Sequence, residues 1–222
     1  MIPVSATAIR GLLNRHGKIA FLANLPRQAR LLDIGCGNAS PIRVKQQRPD
    51  IYYVGLDVAD HNQSADVRCV ADEYILTSSA NFAESIKEMA DNFDAVLSAH
   101  NLEHCLDPDG VLNAMIARLK TGGMIYLSFP CSESRFFPHR HPTLNFFDDP
   151  THRVPPDFDK ILEAMTSAGL EIVYARRQHR PLVPLLLGLA LEPISALTKR
   201  TMPLLSTWAL YGFESIIWAR LR

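Results

Sequence analysis

The chain has 222 residues, 47% of them hydrophobic, and its 23 basic and 23 acidic residues balance. This length suits a single α/β domain, and the balanced charge argues against a nucleic-acid-binding protein that relies on bulk positive charge. The four cysteines are widely spaced without a CxxC pair, which disfavours a cysteine zinc site or a disulfide framework and fits a reduced intracellular setting. The start of the chain lacks the apolar segment of a secretion signal, so we expect a helical lead-in over 1–28 within one domain spanning 1–222.

Predicted strands and helices alternate along the chain. The pattern predicts strands in ARLLDIG, IYYVGLD, VRCVAD, FDAVLSA, MIYLSFP, LEIVYARR and ESIIWARL. It predicts helices in SPIRVKQQRP, NFAESIKEMADN, DPDGVLNAMIARLK (ended by TGG) and residues 155–168. This order predicts an α/β fold with a mostly parallel sheet, helices on both faces, and ligands beyond the carboxyl ends of the strands.

Acidic residues mark the ends of the first three predicted strands, at Asp33, Asp57 and Asp72. The first strand leads into a turn with Gly35 and Gly37, whose bare backbone a ligand can approach closely. Three carboxylates at successive strand ends suit a nucleoside with a cationic end better than a pyrophosphate, which they would repel. An NAD-binding domain is the main rival, although its G-x-G-x-x-G/A fingerprint is incomplete here.

Five motifs carry a resemblance to a known family. They are LLDIGCGNAS, YVGLDV, VADEYI, FDAVLSAHNLEHCLDP and LKTGGMIYLSFP, in that order between about Leu31 and Pro130. Together they resemble the class I S-adenosylmethionine-dependent methyltransferases. The resemblance implies a Rossmann-like domain with a mostly parallel seven-stranded sheet, an antiparallel last strand, and S-adenosylmethionine as the cofactor.

The same resemblance assigns cofactor contacts to individual residues. The glycine turn would line the methionine end, Asp57 the ribose, Asp72 the adenine, and the residues after the fourth strand the sulfonium. The full predicted set is Asp33, Gly35, Cys36, Gly37, Asp57, Val58, Asp72, Asn101 and Leu102. The sequence departs from the family pattern at Ala39, where a third glycine is often found, and we expect an altered loop that still binds.

Two histidine-containing segments could activate an acceptor, because methyl transfer to a hydroxyl usually needs a base or a metal. The first is AHNLEHC, in which His104 is a candidate, although a structural role under the cofactor is the simpler interpretation. The second is the acceptor-side loop over 131–156, with the candidates His141, Asp149 and His152. We expect one of these two histidines to act with Asp149. The loop has enough histidines and carboxylates for a divalent metal, but the sequence assigns no metal ligand.

The acceptor-side loop also indicates substrate classes. Its arginines and phenylalanines suit a sugar, an anionic group or an aromatic ring, and DDPTHRVPP loosely resembles a loop of bacterial methyltransferases of surface-polysaccharide biosynthesis. We expect O-methylation of a small-molecule or glycan acceptor, with no nucleic-acid partner. Two alternatives stay open: methylation of a lipid or quinone at a membrane surface, and a non-catalytic scaffold.

An apolar insertion over 179–212 precedes the last predicted strand. Prolines and charged residues interrupt it too often for a membrane span, so we expect one or two short helices. Their apolar face is either buried within the monomer or, through 181–212, contacts a membrane surface or a second copy of the chain. The expected location is cytoplasmic, at the inner face of the membrane in the second case.

Overall fold

The computed structural model describes residues 14–37, 39–60, 63 and 65–222. Residues 1–13, which belong to the predicted helical lead-in over 1–28, lie outside the described residues. The described part of the lead-in contains helix α1 (Lys18–Ala23), whose Phe21 and Leu22 are buried. Helix α1 thus covers part of the core with its apolar side chains.

Seven strands form one sheet in the described part of the chain. They are β1 (Arg30–Ile34), β2 (Tyr52–Asp57), β3 (Glu73–Leu76), β4 (Phe93–Ala99), β5 (Leu119–Pro130), β6 (Leu170–Arg176) and β7 (Glu214–Leu221). Their order is β3-β2-β1-β4-β5-β7-β6. Strand β7 is antiparallel to β5 and β6, and the other pairs are parallel. The predicted Rossmann-like fold with an antiparallel last strand is therefore confirmed.

Helices pack on both faces of this sheet. Besides α1 they are α2 (Ser40–Gln47), α3 (Ala65–Val70), α4 (Phe82–Lys87), α5 (Pro108–Ala117), α6 (Phe158–Ser167), α7 (Leu182–Thr198) and α8 (Ser206–Tyr211). The neighbours Leu31 and Leu32 in β1 belong to two different apolar clusters, because successive strand residues point to opposite faces. Both residues are fully buried, as expected for a central parallel strand covered on both sides.

Two predicted elements are wrong. The segment VRCVAD is mainly helix α3, and the third strand begins only at Glu73. A short apolar run fits a helix as well as a strand, so its periodicity could not decide. The TGG motif does not end a helix, because α5 already ends at Ala117. Residues 121–123, which form the motif, lie inside β5.

The apolar insertion forms α7 and α8, which pack closely together. A Cβ at Gly188 of α7 would collide with the backbone carbonyl of Ser206 in α8. Helix α7 runs for 17 residues and continues through Pro193, although we expected short helices interrupted by proline. Among the described residues, no helix has both the length and the apolar character needed to cross a bilayer.

Candidate active site

The turn after β1 touches the turn after β4 at the carboxyl edge of the sheet. Gly35 has a φ of 72°, and a Cβ there would lie 2.5 Å from Oδ1 of Asn101. The N–H of Gly35 donates to the carbonyl of Leu56 at 2.8 Å, which ties this turn to β2 as well. Only glycine combines this backbone angle with such a close approach. Two predicted cofactor residues, Gly35 and Asn101, are thereby adjacent.

Asp33 supports the glycine turn from below. Its side chain is buried, and Oδ2 accepts hydrogen bonds from the hydroxyls of Ser40 at 2.5 Å and Tyr53 at 2.7 Å. The ammonium of Lys18 lies 3.6 Å from the same oxygen. The carboxylate therefore fixes the start of α2 against β1 and β2.

Ala39 begins helix α2 in the left-handed conformation, with φ 58° and ψ 31°. This conformation favours glycine, because the Cβ of an L residue crowds the backbone there. The family pattern of a third glycine thus matches a real backbone requirement, which this chain meets with alanine.

The end of β2 supplies further predicted cofactor residues. Asp57 is buried, and one of its oxygens accepts the N–H of Val58 at 2.7 Å. Val58 is itself exposed at this edge. The side chains of Cys36 and Leu102 lie in the two apolar clusters. Burial, with the nearby Asp33 and Asp57, raises the pKa of the Cys36 thiol.

The assignment of Asp72 to the adenine is wrong. Because β3 begins after Asp72 and runs parallel to β2, this residue lies at the amino edge of the sheet, opposite the glycine turn. Its carboxylate accepts the N–H of Tyr53 at 2.7 Å and pairs with Lys45 at 2.5 Å. At the carboxyl end of β3 stands Thr77, whose N–H donates to the carbonyl of Asp57 at 3.0 Å.

His100 bridges two carboxylates directly after β4. Its Nδ1 lies 3.2 Å from Oε1 of Glu103, and its Nε2 lies 3.2 Å from Oε1 of Glu214. Burial disfavours the charged ring, but the two carboxylates outweigh it and raise the pKa of His100 to about 10. An imidazolium therefore stands beside Glu103 at neutral pH. His100 belongs to the histidine-containing segment AHNLEHC, but its contact with Glu214 could not be predicted from a local pattern, because Glu214 lies 114 residues away.

The acceptor-side loop is fixed onto the turn that follows β4. The backbone N–H of Arg153 donates to the carbonyl of Glu103 at 2.8 Å, and its guanidinium donates to the carbonyl of His104 at 3.1 Å. Thr151 Oγ1 lies 2.9 Å from Nδ1 of His104 and donates to Oδ1 of Asp149 at 2.6 Å. These contacts bring together the predicted candidates from two distant segments.

A cluster of Glu103, His104 and His152 results, which we call the Glu–His cluster. One side-chain oxygen or nitrogen from each residue lies within 4.8 Å of the others. The ring centroids of His104 and His152 are also 4.8 Å apart. Burial is the main cause that lowers the pKa of His104, so this ring is neutral at neutral pH. Asp149 adjoins the cluster, with Oδ2 3.9 Å from Nε2 of His152.

His141 does not join the Glu–His cluster. It is exposed, its N–H donates to the carbonyl of Lys199 at 2.8 Å, and its carbonyl accepts the N–H of Thr201 at 2.8 Å. Its side chain lines a separate surface pocket together with Arg140 and Lys199. Of the two expected pairings with Asp149, the structure therefore favours His152.

The apolar insertion packs one side on the site and exposes the other. The indole of Trp208 in α8 lies 5.1 Å from the ring of His100 and donates to the carbonyl of Thr143 at 2.6 Å. On the outer side, large apolar side chains of α7 and the α7–α8 turn are exposed: Leu182, Val183, Leu186, Leu189, Ile194, Leu197, Leu204 and Leu205. One side of the insertion thus forms a wall of the site, and the other side is an exposed apolar surface.

Comparisons with known proteins agree with this fold. A ubiquinone biosynthesis O-methyltransferase of Xanthomonas axonopodis pv. citri is 31% identical over 111 residues, which are 46% of this chain and 44% of that protein. The aligned part spans about half the length of the curated relatives that the chain matches.

Solved structures are similar over nearly the whole chain. A SAM-dependent methyltransferase from Archaeoglobus fulgidus has a TM-score of 0.54 at 20% identity, covering 97% of this chain and 94% of that one. A putative sarcosine dimethylglycine methyltransferase from Galdieria sulphuraria has a TM-score of 0.59 at 16% identity, covering 96% and 84%. Residues 7–175 match the family model described as a methyltransferase domain. The family and the fold imply S-adenosylmethionine as methyl donor, and the chain belongs to this methyltransferase domain family.

Proposed function

We propose that the protein transfers the methyl group of S-adenosylmethionine to a hydroxyl of a small aromatic acceptor that carries an apolar tail, as a quinol does. The observation that carries this proposal is the convergence of the Glu–His cluster beside Asn101. In this proposal the glycine turn and Asn101 bind the cofactor, and the Glu–His cluster contacts the acceptor.

A hydroxyl acceptor explains why these polar groups meet there. The donor sulfonium is already activated, so positioning supplies much of the rate for a good nucleophile. A hydroxyl is a weak nucleophile until its proton is removed or its oxygen is polarised, which requires basic or metal-binding groups. Two histidines and a carboxylate are such groups, whereas an amine or thiol acceptor needs them less.

An acceptor with an apolar tail is supported by two further observations. The exposed apolar side chains of α7 and the α7–α8 turn adjoin the wall of the site that Trp208 forms. The curated relatives that are 29% and 31% identical over about half of this chain are named ubiquinone biosynthesis O-methyltransferases. The same apolar surface is an argument for a cytoplasmic protein that binds peripherally to the inner face of the membrane, in which such an acceptor dissolves.

Label transfer tests the proposed function. The purified protein is incubated with methyl-labelled S-adenosylmethionine and a cell extract, and lipid, glycan, protein and small-molecule fractions are separated. We expect label as a methyl ether in the lipid-soluble fraction, lost in His152→Ala and retained in the matched variant His141→Ala. Label in the glycan fraction would replace the quinol-like acceptor with a sugar, and absence of label in every fraction would favour the non-catalytic scaffold.

A further inference from the structure

The hydrogen bonds around the Glu–His cluster fix where the protons are. Thr151 has one hydroxyl proton and gives it to Asp149, because an ionised carboxylate only accepts. The hydroxyl oxygen therefore accepts from Nδ1 of His104, 2.9 Å away. This leaves Nε2 as the ring nitrogen of His104 that can bind a ligand.

His152 makes the same kind of hydrogen bond through Nδ1, with a different partner. Its Nδ1 lies 2.6 Å from the carbonyl oxygen of Phe146. A carbonyl only accepts hydrogen bonds, so Nδ1 is the donor and Nε2 is the ring nitrogen left to bind a ligand. The side chain is only 5% exposed, so bulk water has little access to that nitrogen.

Glu103 adds an oxygen that lacks a partner. The residue is fully buried, and Oε1 faces the imidazolium of His100 at 3.2 Å. Oε2 is buried and has no hydrogen-bond partner among the described residues. A buried carboxylate oxygen without a donor is costly, and a cation bound beside it would remove that cost.

We propose that the Glu–His cluster binds a divalent transition-metal ion of the Zn²⁺ type through Glu103, His104 and His152. Two imidazoles with one carboxylate form a ligand set typical of such ions, whereas Mg²⁺ prefers oxygen ligands alone. Bonds of about 2.0–2.2 Å require the three side-chain ends to close together by roughly 1 Å. The hydrogen bonds from Thr151 and Phe146 to the two rings are the outer contacts that hold metal-binding histidines in orientation.

The role of the ion rests on the proposed function. Three protein ligands leave a coordination position open for the acceptor oxygen. A bound Zn²⁺ ion lowers the pKa of a coordinated water from about 16 to about 7, so a coordinated acceptor hydroxyl can release its proton to water near neutral pH. The deprotonated oxygen forms the new C–O bond while the C–S bond of the donor breaks. The electron pair stays on sulfur, which leaves S-adenosylhomocysteine.

Metal binding is measured directly on the full chain without an affinity tag. Co²⁺ is titrated into protein treated with chelator, the visible absorption of the bound ion is recorded, and Zn²⁺ is added as competitor. We expect one saturable Co²⁺ site that Zn²⁺ displaces. His152→Ala should lose it and His141→Ala should keep it. Absence of a saturable band in the unmodified protein, or equal affinity in His152→Ala, would overturn the metal site.

Thr151 supplies a finer pair of variants. Thr151→Val removes the hydroxyl at nearly constant shape and should weaken Co²⁺ binding by about 10–100-fold, the usual effect of losing such an outer contact. Thr151→Ser keeps the hydroxyl and should bind Co²⁺ like the unmodified protein. Equal weakening in both variants would contradict the role of the hydroxyl.

The same samples separate this inference from the proposed function. If metal-free protein formed the methyl ether at the full rate, the proposed role of the ion in the reaction would be wrong, and O-methylation would still stand. A bound ion without any methyl-ether product would contradict O-methylation and leave the metal site standing.

Discussion

A Cβ on Gly35 would lie 2.5 Å from Oδ1 of Asn101, so the turns after β1 and β4 meet at this glycine. We expect Gly35→Ala to abolish cofactor binding, because the added methyl group collides with the side chain of Asn101 and forces the turns after β1 and β4 apart. The left-handed backbone adds about 1–2 kcal/mol of strain. Isothermal titration with S-adenosylmethionine and thermal unfolding would measure the two effects.

Gly122 offers the matched control for that variant. It has a φ of 79°, but a Cβ there has no neighbouring atom within 4 Å. Gly122→Ala should therefore show the strain alone and bind S-adenosylmethionine normally. Equal loss of binding in both variants would show that strain, and not the contact with Asn101, explains the effect.

The left-handed backbone at Ala39 indicates that replacing this residue with glycine should stabilise the protein. Ala39→Gly relieves about 1–2 kcal/mol of left-handed strain at the start of α2 and costs about 0.5–1 kcal/mol of unfolded-chain entropy. We expect a small net rise in the free energy of unfolding, measured by urea denaturation, with cofactor affinity at least retained. A clear destabilisation would show that this backbone conformation does not persist in solution.

Asp57 and Asp72 should behave differently in cofactor binding. Asp57→Ala should weaken S-adenosylmethionine binding by about 1–3 kcal/mol, the usual cost of losing hydrogen bonds to a charged group. Asp72→Ala breaks the contacts with Lys45 and Tyr53 at the opposite edge of the sheet. It should lower the melting temperature without changing cofactor affinity, so equal binding losses in the two variants would contradict this placement.

The hydrogen bonds of the Asp148 carboxylate should contribute to stability in a pH-dependent way. Its Oδ2 accepts backbone N–H groups of Arg140, Leu144 and Asn145 at 3.1, 3.0 and 2.8 Å, and Oδ1 pairs with His139. Burial pushes the pKa of this carboxyl up, but these hydrogen bonds outweigh it and leave the pKa below its usual value. The stabilisation is therefore present above the unfolded pKa of about 3.9 and is lost as the pH falls through the lower folded value.

The test compares Asp148→Asn with the unmodified protein across pH. At pH 7 we expect a lower melting temperature, by about 2–4 °C for each kcal/mol lost. The difference should shrink as the pH falls below about 4, where the unfolded carboxyl becomes protonated, and should vanish below the lower folded pKa, where the folded carboxyl is protonated too. Asp109→Asn, at an exposed position in α5, should change far less. A difference that stays constant down to low pH would mean that the charge of Asp148 does not matter.

Local patterns in the sequence were enough for most of the framework. Short apolar runs identified most of the strands, and the aspartate before α5 identified its start, where Asp107 accepts the N–H of Gly110. The glycine turn was visible because a positive φ and a close approach both demand glycine at Gly35. Local patterns failed at β3, because a six-residue apolar run has no unique period.

The site was only half visible in the sequence. His104 and His152 were candidates by composition, but their meeting depends on Thr151, which is 47 residues from His104 along the chain. His141 and His152 looked equivalent in the same loop, but the structure pairs the exposed His141 with Lys199 and brings His152 to Glu103 and His104.

The sequence by itself determined which faces are buried and where the backbone must be bare, because hydrophobic period and glycine geometry act over a few residues. The tertiary structure alone decided which polar groups face one another. The contacts of His100 with Glu103 and Glu214, and the unpartnered oxygen of Glu103, exist only because β4 ends and the antiparallel β7 begins at the same edge of one sheet. Such contacts depend on chain crossings that no local pattern encodes, and they are the contacts that give this site its charge.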